Sequence, residues 1–101
     1  MKETLKETLA AIRDDSLPLP MLEKYRDDLI HFKTDYLKLQ ATLKKKKALF
    51  LMEEPDKSAI ARKLAFEASE DGQRLIDIDA DLRGLPDEID ALMSRIYAAI
   101  R

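Results

Sequence analysis

The chain lacks residue types and features that whole classes of protein require. It contains no cysteine, which excludes disulfide bonds and thiolate chemistry and is compatible with a reducing compartment. Tryptophan is also absent, and two glycines are too few for a glycine-rich phosphate loop. The longest purely apolar run, residues 48–52, is far shorter than the ~20 residues that a bilayer-spanning helix needs. The default expectation is therefore a soluble cytoplasmic protein that does not enter a membrane.

Combinations of residues that support catalysis or metal binding are missing as well. His31 is the only histidine, and with no serine–histidine–aspartate constellation around it we interpret it as a surface residue. Residues 77–88 imitate the two ends of a calcium-binding EF-hand loop, but the glycine required at the sixth position is replaced by Leu82. We therefore expect no enzymatic activity, no metal site, no cofactor and no small-molecule substrate.

The residues that are abundant favour long helices. Charged side chains make up 38% and hydrophobic ones 46% of the 101 residues, a composition typical of coiled coils in a single domain. Between residues 22 and 50, apolar residues recur at alternating spacings of three and four, which is the heptad seam of a helix packed along another helix. The seam contains Leu22, Tyr25, Leu29, Phe32, Tyr36, Leu39, Leu43 and Phe50. Lys46 occupies the seam position between the last two.

Prolines divide this pattern into segments. We predict a helix over residues 2–15, a linker over 16–20, a helix over 21–53, a turn over 54–56 and a helix over 57–100, because proline removes an amide donor and interrupts helices. A short connection between two long helices makes them antiparallel neighbours. The predicted fold is all-α: a long, coiled-coil-like antiparallel hairpin with the short N-terminal helix packed at its open end.

The last predicted helix contains a second seam and leaves two questions open. The seam contains Leu64, Ala68, Asp71, Leu75, Ile78, Leu82, Leu85, Ile89, Leu92, Ile96 and Ala99. Its register continues through residues 84–86, which favours one helix kinked at Pro86; the alternative is a break there, with Pro86 in the first turn of a new helix. Asp71 either fixes the pairing register or lies where the seam is exposed to solvent.

Charge is distributed unevenly along the chain. Residues 1–32 carry a net charge of −2, residues 33–63 carry +5 and residues 64–101 carry −5. Basic patches bind phosphate backbones through counterion release, and Tyr36 or Phe50 offers a stacking surface to an unpaired base. The predicted nucleic-acid-binding residues are Lys38, Lys44, Lys45, Lys46, Lys47, Lys57, Arg62 and Lys63. The alternatives are an ordinary solvated helix surface, or segregated charge that guides self-assembly.

From Tyr36 to the C-terminus the layout resembles the small helical recombination accessory proteins of phages, of the UvsY recombination-mediator type. The features that carry the resemblance are the lysine-rich second helix and the closing amphipathic segment over residues 89–100. The resemblance implies single-stranded DNA binding by the basic segment and oligomerisation through the C-terminal helix. The apolar residues of that helix are Leu85, Ile89, Leu92, Ile96 and Ile100.

These observations predict a non-enzymatic, oligomeric protein that binds single-stranded nucleic acid through its hairpin tip and assists recombination or replication proteins. The alternative is a small adaptor or inhibitor, of the kind that phages encode, which docks its helical faces on a protein without nucleic acid. A purely structural assembly component is a third interpretation. The pattern does not distinguish DNA from RNA.

Overall fold

The computed structural model describes residues 4–53 and 58–100, which form four helices. These are α1 (Leu5–Ala11), α2 (Leu19–Glu53), α3 (Ala59–Ala68) and α4 (Glu70–Ile100). The predicted all-α hairpin is confirmed, because α2 and α4 pack against each other as antiparallel helices. The predicted turn over 54–56 lies outside the described residues. Within the described part, none of the helices combines the length and the apolar character that crossing a bilayer requires.

The first helix is shorter than predicted because side-chain hydrogen bonds define both of its ends. Thr4 and Glu7 form a capping box, in which the Thr4 side chain accepts from the Glu7 amide and the Glu7 carboxylate accepts from the Thr4 amide. At the other end, Asp14 accepts hydrogen bonds from the amide and hydroxyl of Ser16. These bonds lower the pKa of the Asp14 carboxyl below its usual value, since they favour its charged form.

The single helix predicted over residues 57–100 needs a correction, because Ser69 separates it into α3 and α4. The Ser69 amide and hydroxyl both donate to the carbonyl of Phe66, which ends α3. The Ser69 oxygen also accepts from the Gly72 amide at 3.1 Å, which caps the start of α4. Glu70 and Asp71 then occupy the first turn of α4, where carboxylates are stabilised by the positive end of the helix dipole.

The corner between α3 and α4 is too tight for a side chain at residue 72. A Cβ atom placed on Gly72 would lie 1.9 Å from the carbonyl oxygen of Phe66. The Gln73 side chain donates to the carbonyl of Glu67 at 2.7 Å and so closes the same corner. Glycine is needed here for close approach of two backbones rather than for an unusual φ angle.

Pro86 lies inside α4, which runs without interruption from Glu70 to Ile100. The alternative of a break over residues 84–86 is therefore excluded. Pro86 cannot donate to the carbonyl one turn earlier, so the surrounding packing has to sustain the helix at this point.

Residue contacts divide the chain into two compact units, although α2 and α4 run through both. The first unit contains α1, α2 up to Asp35 and α4 from Gly84. Its buried side chains are Leu5, Thr8, Ile12, Leu22, Tyr25, Leu29, Leu85, Leu92 and Ile96. The Arg95 guanidinium donates to the carbonyls of Ile12 and Asp14, and so attaches α4 to the segment at the end of α1.

The second unit runs from Tyr36 to Arg83 and contains the rest of α2, all of α3 and the start of α4. Its buried core consists of Leu43, Phe66, Leu75 and Ile78, with Tyr36, Leu39, Phe50 and Leu82 packed against it. Across the α2–α4 pair, the Gln40 amide donates to the Asp79 carboxylate at 2.6 Å. The lysine-rich stretch belongs to this unit.

Candidate nucleic-acid interface

The four consecutive lysines follow the most deeply buried residue of the second unit. Leu43 is 1% exposed and anchors α2 in the core. Because successive residues of a helix are rotated by about 100°, the four lysines that follow point in different directions around α2. Lys44, Lys45 and Lys46 are exposed, whereas Lys47 is half-buried. The ring of cations is therefore uneven, and only part of it faces solvent.

Three exposed lysines of the predicted site lie on α2 and form no ion pair with another described residue. Lys38 and Lys45 are one heptad apart, so they lie on the same side of α2 about 10 Å from each other, whereas Lys44 directly precedes Lys45 and is rotated by about 100° around the helix. No ion pair joins any of the three to another residue within 4–53 or 58–100. We call Lys38, Lys44 and Lys45 the lysine face.

Lys46 differs from its neighbours because it pairs with Asp71. Its ammonium lies 3.9 Å from the Asp71 carboxylate, and the two side chains are 55% and 38% exposed. Lys46 and Asp71 each occupy a seam position where an apolar residue is expected, and in the structure the two side chains lie next to each other. A pair this exposed contributes at most about 1 kcal/mol to the stability of the fold.

Arg62, predicted to bind nucleic acid, instead caps the end of α2. Its Nη1 donates to the carbonyl of Leu51 at 2.6 Å, and that carbonyl lies in the last turn of α2, where helix carbonyls lack helical partners. The Nε atom is buried and has no hydrogen-bond partner among the described residues. In the structure this guanidinium joins α3 to α2.

We expect Arg62→Met to lower the free energy of unfolding by about 1–3 kcal/mol, because a partly buried charged hydrogen bond is lost. The adjacent Lys63→Met provides a matched control; Lys63 is exposed, so its change should stay within about 0.5 kcal/mol. Urea denaturation followed by circular dichroism measures both. Equal effects of the two variants would show that Arg62 does not hold α2.

The other predicted binding residues have simpler positions. Lys63 is exposed on α3. Lys57 lies outside the described residues. Tyr36, a predicted stacking residue, is packed against the core, and burial together with the nearby Asp81 carboxylate raises the pKa of its hydroxyl. Phe50 contacts Phe66 with ring centroids 5.6 Å apart and a tilt of 58°.

A shallow pocket next to this aromatic pair was not predicted from the sequence. It has a volume of about 370 Å³ and is open to solvent. Its lining residues are Lys46, Leu49, Phe50, Glu53, Phe66, Ser69 and Asp71. The pocket depends on the corner at Ser69, which places the start of α4 opposite the end of α2. The sequence would predict this pocket only if it predicted the corner at Ser69.

The predicted oligomerisation residues are mostly used inside the chain itself. Leu85 and Leu92 are each 1% exposed and Ile96 is 3% exposed, because they form the core of the first unit. Ile89 is half-buried, and Ile100 alone of the five is largely exposed. A seam that packs against its own chain offers little surface to a second chain, so this set is corrected as an interface.

The residues that imitate a calcium loop lie within the continuous helix α4. Within residues 4–53 and 58–100, no group of three or more histidine, cysteine, aspartate or glutamate side chains is placed to hold a metal ion. In comparisons with known proteins, no family model, no curated protein and no solved structure matches this chain.

Proposed function

We propose that the protein is a non-enzymatic accessory protein that binds single-stranded nucleic acid through the lysine face. In this proposal it acts in the cytoplasm, as an oligomer, and assists a recombination or replication protein. The observation that carries the proposal is the exposure of three lysines on one helix without an acidic partner in the described structure. Between Asp35 and Glu53, α2 contains no acidic residue at all.

The local positive field around the lysine face, and not the net charge of −2, governs the attraction of a phosphate backbone. The described ion pair near this region uses only Lys46, so Lys38, Lys44 and Lys45 can release counterions from a phosphate backbone. Each phosphate contact on a single strand contributes a slope of about −0.7 to the dependence of log affinity on log salt concentration. Three such lysines predict weak binding with a clear salt dependence.

A single strand is favoured over a duplex because apolar side chains accompany the cations. Leu49 is 53% exposed on α2, and Phe50 lines the adjacent pocket together with Lys46. Unpaired bases gain about 1–3 kcal/mol each from stacking on aromatic side chains, and a paired base cannot reach such a surface. The pocket places Phe50 and Phe66 beside Lys46, and the carboxylates of Glu53 and Asp71 complete its lining.

Binding to a labelled oligothymidine, measured by fluorescence anisotropy at about 50 mM and about 200 mM salt, tests the proposal. We expect Lys44→Ala/Lys45→Ala to weaken binding about tenfold at the lower concentration and to flatten the salt slope by about 1.4. The control Lys6→Ala/Lys24→Ala removes the same charge from the first unit and should leave the affinity within twofold. Equal losses in the two double variants, or no binding by the native protein, would refute a specific lysine face.

A protein ligand is the second candidate. Leu37 and Leu49, 46% and 53% exposed, lie on the same helix as the lysine face and give it an apolar component suited to a protein surface. A stoichiometric protein partner that remains bound after nuclease treatment and is lost in Lys44→Ala/Lys45→Ala would favour this function.

A further inference from the structure

The helix α3 has an apolar side that the other described residues leave exposed. Ile60 and Leu64 are four residues apart, so they lie on one side of the helix, and they are 74% and 59% exposed. Ala61, Ala65 and Ala68 are also exposed and continue this side. The opposite side contains the buried Phe66 and the capping Arg62, so α3 is already fully anchored without it.

One edge of this surface carries two opposite charges. Lys63 and Glu67 are four residues apart and border the same edge of the apolar side. Neither forms an ion pair with another described residue. The surface therefore consists of an apolar stripe with one cation and one anion in a fixed order along the helix.

The order of the two charges along α3 is self-complementary when a second copy of the helix runs in the opposite direction. In an antiparallel pair of identical helices, corresponding edges face each other and the direction of each is opposite. With the two-fold axis at the level of Ala65, Lys63 of each copy then meets Glu67 of the other, and the small alanines allow the helices to approach closely. A parallel pair would not bring these two edges together, so the charges favour the antiparallel arrangement.

We propose that α3 is a self-association surface, on which a second copy of this chain binds by antiparallel α3–α3 packing. The inference deepens the proposed function, since it supplies the oligomer interface that the buried residues of α4 cannot provide. It uses no lysine of the lysine face, so nucleic-acid binding and dimerisation can each fail without the other.

A ten-residue helix limits the strength of this dimer. Its length is about 15 Å, and a contact of that size buries less than the ~1,200 Å² that separates transient from stable interfaces. We expect a dissociation constant on the order of 10–100 µM. The dimer should be visible in concentrated solution and absent on dilution.

Sedimentation equilibrium across that range, without nucleic acid, gives the first test. The native chain should change from monomer to dimer, and Leu64→Glu should weaken dimerisation at least tenfold. Ile76→Glu, an equivalent change at an exposed isoleucine of α4, is the control and should dimerise like the native chain. A native chain that stays monomeric, or a Leu64→Glu variant that still dimerises, would overturn the proposal.

Charge exchange gives a test that a merely unfolded variant cannot imitate. Lys63→Glu and Glu67→Lys each place like charges opposite each other and should be monomeric when alone. When mixed, each supplies the charges that the other lacks, so the mixture should form a one-to-one heterodimer. The double variant Lys63→Glu/Glu67→Lys should recover the native homodimer. A mixture that remains monomeric would exclude the antiparallel arrangement.

Discussion

Gly72→Ala is expected to destabilise the protein by about 1–3 kcal/mol, although alanine is normally the better residue in a helix. The added Cβ would lie 1.9 Å from the Phe66 carbonyl oxygen and 2.8 Å from the Cα atom of Glu67. Both are backbone atoms, so no side-chain rotation relieves the clash. The corner between α3 and α4 would have to open, which would also disturb the hydrogen bond from the Gly72 amide to Ser69.

The second glycine of the chain is a matched control. A Cβ on Gly84 meets nothing within 4 Å, and Gly84 lies exposed inside α4. Gly84→Ala should therefore stabilise the protein by about 0.5–1 kcal/mol through helix propensity alone. Urea denaturation of both variants measures the two effects. Stabilisation by both substitutions would mean that α3 and α4 do not meet at a tight corner.

The heptad seam of α2 was predictable because its spacing is regular and no turn residue interrupts it. Leu22, Tyr25, Leu29 and Leu43 are all buried, as the seam requires. The hairpin followed from the two long patterns and the proline between them. Local pattern sufficed here because each long helix buries one continuous stripe against the other.

The break at Ser69 was not predicted because the seam spacing continues across it by coincidence. The local signal was present: a serine followed by two acidic residues is a typical helix start. The seam periodicity outweighs this capping signal in a prediction from sequence, and it places Leu64 in the core. In the structure the break changes the phase, so Leu64 is exposed and Phe66 is buried in its place.

The sequence shows which charged residues lie near the candidate site, but it does not show which partners these residues contact. The sequence shows that Lys46 and Asp71 each interrupt a seam, yet only the packing of α2 against α4 shows that they pair with each other. Arg62 is a similar case. A basic residue near a lysine run resembles part of a binding surface, whereas its hydrogen bond to the Leu51 carbonyl depends on where α3 lies.

Phe66→Ala is expected to have the largest effect of any single substitution in the second unit, about 3–5 kcal/mol. The side chain is 3% exposed, belongs to the core with Leu43, Leu75 and Ile78, and contacts the ring of Phe50. Truncation would leave a cavity between all three helices of the unit, and those helices are also held in place by Ser69 and Arg62 at their ends. The cavity therefore cannot collapse easily, which favours a cost near the upper limit.

Leu64→Ala, two residues earlier on the same helix, discriminates between the two phases of α3. If residues 57–100 formed one helix with the predicted seam, Leu64 would be a core residue and its truncation would cost about 2–5 kcal/mol. Because Leu64 is 59% exposed, the structure predicts a change within about 0.5 kcal/mol. Denaturation should be followed at a concentration low enough to keep the chain monomeric, since Leu64 belongs to the proposed dimer surface. A larger loss for Leu64→Ala than for Phe66→Ala would restore the continuous helix and remove the corner at Ser69.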